Sequence, residues 1–319
     1  MSASPAEYGA ARGGAALTAL PRAVLAVSGP LRQKFLHGIL SNDVAGRAPG
    51  QGCLAALMDA KGHLLQLLRV LVGADTVWLE APPERMDALE RDLVHYRVAA
   101  PVRFARPPLA VLGLLGPRAA PLLGEWGLDL AGLPAEGHVA GTIADVPVRA
   151  ARASDLPAGG FALHLAAESA PAVRAALVEK VALPIGSDTL DALRVEDGQP
   201  WYGPDVGEAN LLHETGLVRA YHSASKGCYV GQEVIARLEA RGGHVNKALR
   251  GLRLGAPARA GDAVTFEGAT VGQVTTAAVS PARGPIAMGY VHRARFEPGT
   301  VVEVSGSAAT VALLPLEPA

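Results

Sequence analysis

Apolar and polar positions follow two different rhythms along this chain, and the change falls near Asn246. Before it, helical spacing recurs. Leu31, Phe35 and Ile39 stand four apart and predict a helix from Pro30 to Ile39, closed by Ser41-Asn42-Asp43. Met86, Leu89, Leu93 and Val94 predict another, opened by Pro82-Pro83, because proline suits a first helical turn. Further helices are expected over Ala119–Trp126 and over Ala170–Lys180. Ser187 or Asp188 is the expected cap of one from Thr189 to Glu196. Val230, Val234, Ile235 and Leu238 share one face of a helix running to about Ala240, where Gly242-Gly243 stops it. Its other face carries Gln232, Glu233, Arg237 and Glu239.

Between these helices lie short strand-like runs. They are Val24–Val27, Gly52–Met58 and Leu64–Val72 about the turn Asp59-Ala60-Lys61-Gly62, Val77–Glu80, and Leu109–Leu115. Strands and helices mix without strict alternation, which predicts an α+β fold. Pro107-Pro108 marks a joint near 105–109. Residues 1–16, rich in Ala, Gly and Ser, are expected to fray. Beyond Asn246 the helical period vanishes. Six β-type runs follow: Leu249–Leu254, Ala263–Phe266, Val271–Val274, Ile286–Val291, Val301–Val304 and Thr310–Leu314. That spacing predicts a small antiparallel barrel. The domains expected are 17–245 and 246–319.

Composition narrows the function classes. The 319 residues are half hydrophobic, and their formal charge is −1. No global field therefore draws this chain to nucleic acid, and strong direct nucleic-acid binding is not expected. No apolar stretch approaches the ~20 residues that span a bilayer, and no leader pattern opens the chain. A cytoplasmic protein is the expectation. Cys53 and Cys228 are the only cysteines, too few for a cluster or a four-thiolate zinc site. Arg12 and Arg22 read as ordinary surface cations.

The candidate chemistry centres on Lys226-Gly227-Cys228-Tyr229-Val230-Gly231-Gln232-Glu233. A thiol before a helix, beside a lysine and between glycines, is expected to favour its reactive thiolate. Cys228 and Lys226 are accordingly the candidate catalytic pair. A small buried hydrophobe is the competing reading for Cys228.

That run, with Ala236-Arg237 after it, resembles the signature of the YgfZ family of folate-binding proteins. These are relatives of the glycine-cleavage T-protein (aminomethyltransferase) that assist iron–sulfur enzymes. Phe35-Leu36-His37-Gly38 with Ser41-Asn42-Asp43-Val44 is similar to an early segment of that superfamily. Leu193–Gly198 followed by Pro200-Trp201-Tyr202-Gly203 is similar to its R-x-E-x-G-x-P-x-Y-G stretch. The resemblance implies two interleaved α+β subdomains and a C-terminal barrel around a central folate cleft. It implies that Glu196 reads the pterin of a tetrahydrofolate, since a carboxylate can accept two hydrogen bonds from a pterin edge. Asn42, Asp43, Tyr202, Tyr229, Gln232 and Arg237 are the further cofactor-binding candidates. The T-protein aspartate that serves one-carbon transfer falls on Gln66, or less well on Leu67, and glutamine exchanges no proton at useful pH. His63 is a weak substitute. The implied function is a folate-binding factor for iron–sulfur cluster assembly or repair, with iron–sulfur client proteins, tRNA-modifying ones among them, as partners. The alternative is an aminomethyltransferase.

Overall fold

The computed structural model describes residues 2–130 and 132–317, and it builds two sheets and a barrel. The first sheet holds β2 (Ala23–Ser28), β3 (Gly52–Met58), β4 (Leu64–Val72), β5 (Thr76–Ala81) and β6 (Arg103–Ala105), in the order β3-β4-β5-β2-β6. Leu25, Val27, Leu57, Leu68, Val70 and Leu79 line one face. They pack against Leu36 and Ile39 of α2 (Arg32–Ile39) and Leu89 and Leu93 of α3 (Met86–Arg97). Each fully buried leucine contributes about 1.5–3 kcal/mol by leaving water.

The second sheet holds β1 (Ala16–Ala19), β7 (Leu109–Leu115), β8 (His138–Ile143), β9 (Val146–Arg152), β10 (Phe161–Ala166) and β11 (Leu183–Pro184). Its order is β11-β1-β7-β10-β9-β8. The chain thus lays β1 in this sheet, builds the other from β2 to β6, and returns at β7. Two subdomains interleave as a result. Leu122 and Leu123 of α4 (Ala119–Gly124) and Val173 and Leu177 of α5 (Ala170–Glu179) fill one apolar cluster of this sheet. Ala11 of α1 (Pro5–Gly13) and Leu190 and Leu193 of α6 (Ser187–Glu196) belong to another.

After α7 (Val218–Tyr221) and α8 (Gln232–Ala240) comes a closed barrel. Its strands are β12 (Lys247–Leu254), β13 (Ala263–Phe266), β14 (Ala269–Ser280), β15 (Gly284–His292), β16 (Val301–Val304) and β17 (Ser307–Ala312). All six predicted runs fall on strands, although Thr310–Leu314 leaves β17 after Ala312. Gly272 allows β14 to bend onto β15, since a Cβ there would stand 2.1 Å from the Tyr290 carbonyl oxygen. The register slips just beyond it, between Val274 and Thr276.

Several expectations need correction. From residue 2 on, the N-terminal segment is ordered, Met1 lying outside the described residues: α1 buries Ala11, and the Ala3 N–H donates to the Val279 carbonyl at 3.1 Å. Its small residues serve close packing on α6 and the barrel. Helix α6 is entered through Gly186 in an extended conformation, not capped by a serine or aspartate side chain. Leu31 and Val94 stay exposed, at 41% and 44%, because the helix faces that meet the sheet are those of Leu36 and Leu89. Arg12 and Arg22 are not free surface cations. Arg12 pairs with Glu196 and Asp197, and the Arg22 side chain is 8% exposed against Asp155.

Candidate functional site

Where the two sheets approach one another, the wall is ionic. Arg69 of β4 stands opposite Glu80 of β5 and donates to it at 2.7 Å. The same guanidinium donates to Glu136 at 2.6 Å and to Asp155. Glu80 also meets His164 of β10 at 2.6 Å. Burial opposes charge at Glu80, but the attraction of Arg69 and the hydrogen bond to His164 win, and its carboxyl lies well below the ordinary range. Burial likewise opposes the Arg69 charge and is outweighed by Glu80 and Glu136, which hold that guanidinium above its ordinary value. Sequence reading missed this cluster, although a signal existed. Arg69 and Glu80 sit inside runs that are apolar on both strand faces, where an unpaired charge is not tolerated.

Beside this wall opens a cavity of about 550 Å³. Asn42, Arg47, Gly52, Glu136, Arg219 and His222 are among its lining residues, so both subdomains and the segment before the signature contribute. Glu136 is committed, with Ser154 donating its backbone N–H at 2.9 Å on the side away from Arg69. Among the described residues, Arg47 donates to the Asp43 carbonyl and makes no ion pair, and the exposed Arg219 makes none either. The cavity therefore carries uncommitted positive charge.

The signature loop is anchored to this cavity's wall. Ser223, itself a lining residue, donates its N–H to the Ser41 carbonyl at 3.1 Å. Lys226 donates through Nζ to the carbonyls of His37 and Leu40 at the end of α2. Gly231 closes the loop with φ of +84°, and a Cβ there would meet the Asp59 carbonyl at 2.8 Å. This is why a glycine stands at that point of the signature. Between these anchors Cys228 is exposed. Helix α8 begins only at Gln232. Cys228 thus precedes the helix cap by three residues and lies outside the first turn, where unpaired N–H groups act. Nor is Lys226 aimed at the thiol as the catalytic reading required, because its ammonium is spent on backbone carbonyls. Burial lowers the Lys226 ammonium to about 8, against the smaller opposing pull of Asp43 and the two cysteines.

The remaining candidates fall in several places. Asn42 lines the cavity and donates to the Leu54 carbonyl at 2.8 Å. Asp43 is turned to His37 at 3.0 Å and to the Gly46 N–H. Tyr202 is buried, with its hydroxyl donating to the Leu64 carbonyl at 3.2 Å, and burial raises it to about 12. Tyr229 is buried too, and burial pushes its hydroxyl up. Gln232 accepts the Tyr229 N–H at 3.3 Å, while Arg237 lies exposed on α8. Glu196 does not line the cavity. Its carboxylate, 1% exposed, accepts from Tyr8 at 2.9 Å, from Arg12 at 2.6 Å and from Ser280. A pterin would have to displace those donors. Composition gave no hint of this, because Tyr8 and Arg12 come from a terminus read as frayed and Ser280 from the end of β14 in the barrel.

The hairpin sends the two residues offered for the acid position to opposite faces of the sheet. Gln66 stands opposite Leu57, on the strand face of Leu68, toward α2 and α3. Leu67 turns the other way, toward Tyr202 and Tyr229. Gln66 is fully buried, and neither amide atom has a partner among the described residues. His63 keeps 43% side-chain exposure beside Asp59.

Comparison with known proteins fits this geometry. Residues 3–224 match the model of the GCVT N-terminal domain, and residues 247–316 that of the glycine cleavage T-protein C-terminal barrel domain. The chain belongs to the glycine cleavage T-protein family. It is 29% identical to an aminomethyltransferase of Streptomyces avermitilis over 301 residues, covering 89% of this chain and 80% of that one. A chloroplastic protein of Arabidopsis thaliana with a transferase designation is 26% identical over 283 residues, 87% of this chain and 65% of that protein. The chain thus spans just under two thirds of that relative's length. The solved aminomethyltransferase T of Bartonella henselae superposes with a TM-score of 0.87 at 24% identity, over 97% of this chain and 88% of that chain, and shares the fold. Among the described residues, no helix is long and apolar enough to cross a membrane.

Proposed function

We propose that this chain binds tetrahydrofolate and supports iron–sulfur proteins through Cys228, in the manner of the YgfZ branch, and does not itself transfer an aminomethyl group. The observation that carries this reading is an exposed thiol on a loop whose root forms the wall of a ligand-sized cavity. About 300–1,000 Å³ is the usual span of small-molecule sites, and the cavity falls within it. Arg47 and Arg219 suit the carboxylate tail of a folate, and Asn42 offers an amide within the cavity wall. Bound tetrahydrofolate would supply amine nitrogens able to carry a one-carbon unit. The protein side of aminomethyl transfer is weak here, because Gln66 points into the core and Leu67 is apolar. Iron–sulfur clients would meet Cys228 from solvent.

Aminomethyl transfer is the second reading, favoured by the designations of the Streptomyces avermitilis relative and of a Synechococcus protein 31% identical over 294 residues. Two measurements decide. Calorimetric titration with tetrahydrofolate is expected to saturate, and Arg219→Ala to weaken it about tenfold, the worth of ~1.4 kcal/mol. Cys228→Ala is expected to bind folate normally yet fail to restore iron–sulfur enzyme activity in cells lacking the protein. No folate binding, or full restoration by Cys228→Ala, overturns the proposal. Tetrahydrofolate-dependent ammonia release from an aminomethyl-lipoyl donor would establish the second reading instead.

A further inference from the structure

The geometry around Cys228 assigns Lys226 a different task from thiol activation. Lys226 and Tyr229 both turn inward from the loop, and the ammonium lies 4.6 Å from the centre of the Tyr229 ring. The residues between them, Gly227 and Cys228, are both exposed. Two inward anchors three positions apart, touching each other, leave the intervening pair no direction but outward. The ammonium is also where electrostatics favours it. The carbonyls of His37 and Leu40 lie at the end of α2, where helix carbonyls lack intrahelical donors and carry partial negative charge.

The next residues lead to the cavity, which Asn42 lines. Ser41 accepts the Ser223 N–H, and its hydroxyl donates to the Tyr221 carbonyl at 2.6 Å and accepts the Ala56 N–H at 2.7 Å. Asn42 follows, lining the cavity and donating to the carbonyls of Leu54 at 2.8 Å and Ala220 at 3.3 Å. One short segment, 37–42, therefore receives the loop's clasp on one side and faces the cavity on the other.

We infer that Lys226 is a positioning residue that clasps the signature loop to the 37–42 turn, so that occupation of the cavity and presentation of the Cys228 thiol are coupled through that turn. The coupling to a ligand rests on the folate reading above; the clasp does not. Coupling requires a structural element on which both sites act, and the 37–42 turn is such an element.

Hydrogen exchange of residues 223–231 and iodoacetamide alkylation of Cys228, followed peptide by peptide, test both parts. They are to be measured on the full chain, with and without tetrahydrofolate, alongside the thermal midpoint. Without ligand, Lys226→Met is expected to speed exchange of the loop at least fivefold at an unchanged midpoint, and Lys226→Arg to restore most of the protection. In the wild type, tetrahydrofolate is expected to slow loop exchange and change the alkylation rate at least threefold. In Lys226→Met it is expected to bind while leaving both unaltered. Unchanged loop exchange in ligand-free Lys226→Met overturns the clasp. A ligand effect that survives Lys226→Met, or is missing from a wild type that binds folate, overturns the coupling. A wild type that binds no tetrahydrofolate overturns the functional reading and the coupling with it, while the ligand-free comparison still decides the clasp.

Discussion

The barrel interior and the contact between the two N-terminal sheets exclude water by opposite means. Leu252, Val264, Val274, Val291, Val302 and Val311 fill the barrel, and each packs without needing any one partner. Between the sheets, Arg69 must find Glu80, Glu136 and Asp155 together, from three separate parts of the chain. An apolar core tolerates exchange among residues of similar volume, whereas a buried ion cluster tolerates replacement as a whole by apolar residues but not the loss of one member. The same difference bears on function. The ionic wall fixes how the subdomains meet and so shapes the cavity that Glu136 helps to line, while the barrel closes on itself.

The largest effect expected from this contrast is at Arg69. Arg69→Ala should cost about 3–5 kcal/mol in urea unfolding, because three carboxylates lose the cation that they share. A loss below about 1 kcal/mol would mean that the wall is not a dry ionic contact. In the barrel, Leu252→Ala should cost about 2–4 kcal/mol through the cavity left behind, and Leu252→Met less than about 1.5 kcal/mol. If Leu252→Met proved as costly as Leu252→Ala, the barrel would be as exacting as the wall, and the comparison would fail.

A smaller, pH-dependent effect sharpens it further. His138 of β8 reaches the Val72 carbonyl of β4 at 3.0 Å, a tie between the two sheets. Burial, helped by Arg149 and resisted by the Val72 hydrogen bond, lowers its imidazole to about 4 from an ordinary 6.5. The folded protein thus keeps His138 neutral where the unfolded chain takes up a proton. Its stability contribution is complete above pH 6.5 and is lost as pH falls toward 4, by at most about 3 kcal/mol. The urea midpoint of His138→Gln should consequently fall less between pH 7 and pH 4.5 than that of the wild type. Parallel curves would show that His138 takes no part in the acid response.

Much of the scaffold was legible before any coordinates. The barrel strands announced themselves through short β-type runs recurring where the helical period vanished, and α8 through Val234 and Ile235. The turn Asp59–Gly62 was equally plain, with the Asp59 carboxylate accepting the Lys61 and His63 N–H groups at 2.8 Å. The site was legible only in part. Asn42 and Cys228 stand near the cavity or on the loop anchored to it, but Glu196 and Tyr202 are spent on buried contacts. Arg219 and Glu136, far apart in sequence, carry no local signal that they line one cavity.

The amino-acid order by itself determined the local elements, the glycine-flanked turn around the thiol and the absence of an acid at Gln66 and Leu67, while the exposure of Cys228 was left to the structure. Those follow from periodicity, glycine conformation and side-chain chemistry, which act over a few residues. Only the tertiary structure decided which charges would be neighbours. It gave the Glu196 carboxylate to Arg12 and the Lys226 ammonium to the end of α2. Such pairings depend on which distant segments share a dry space, where a charge is stable only beside its counter-charge or a row of carbonyls.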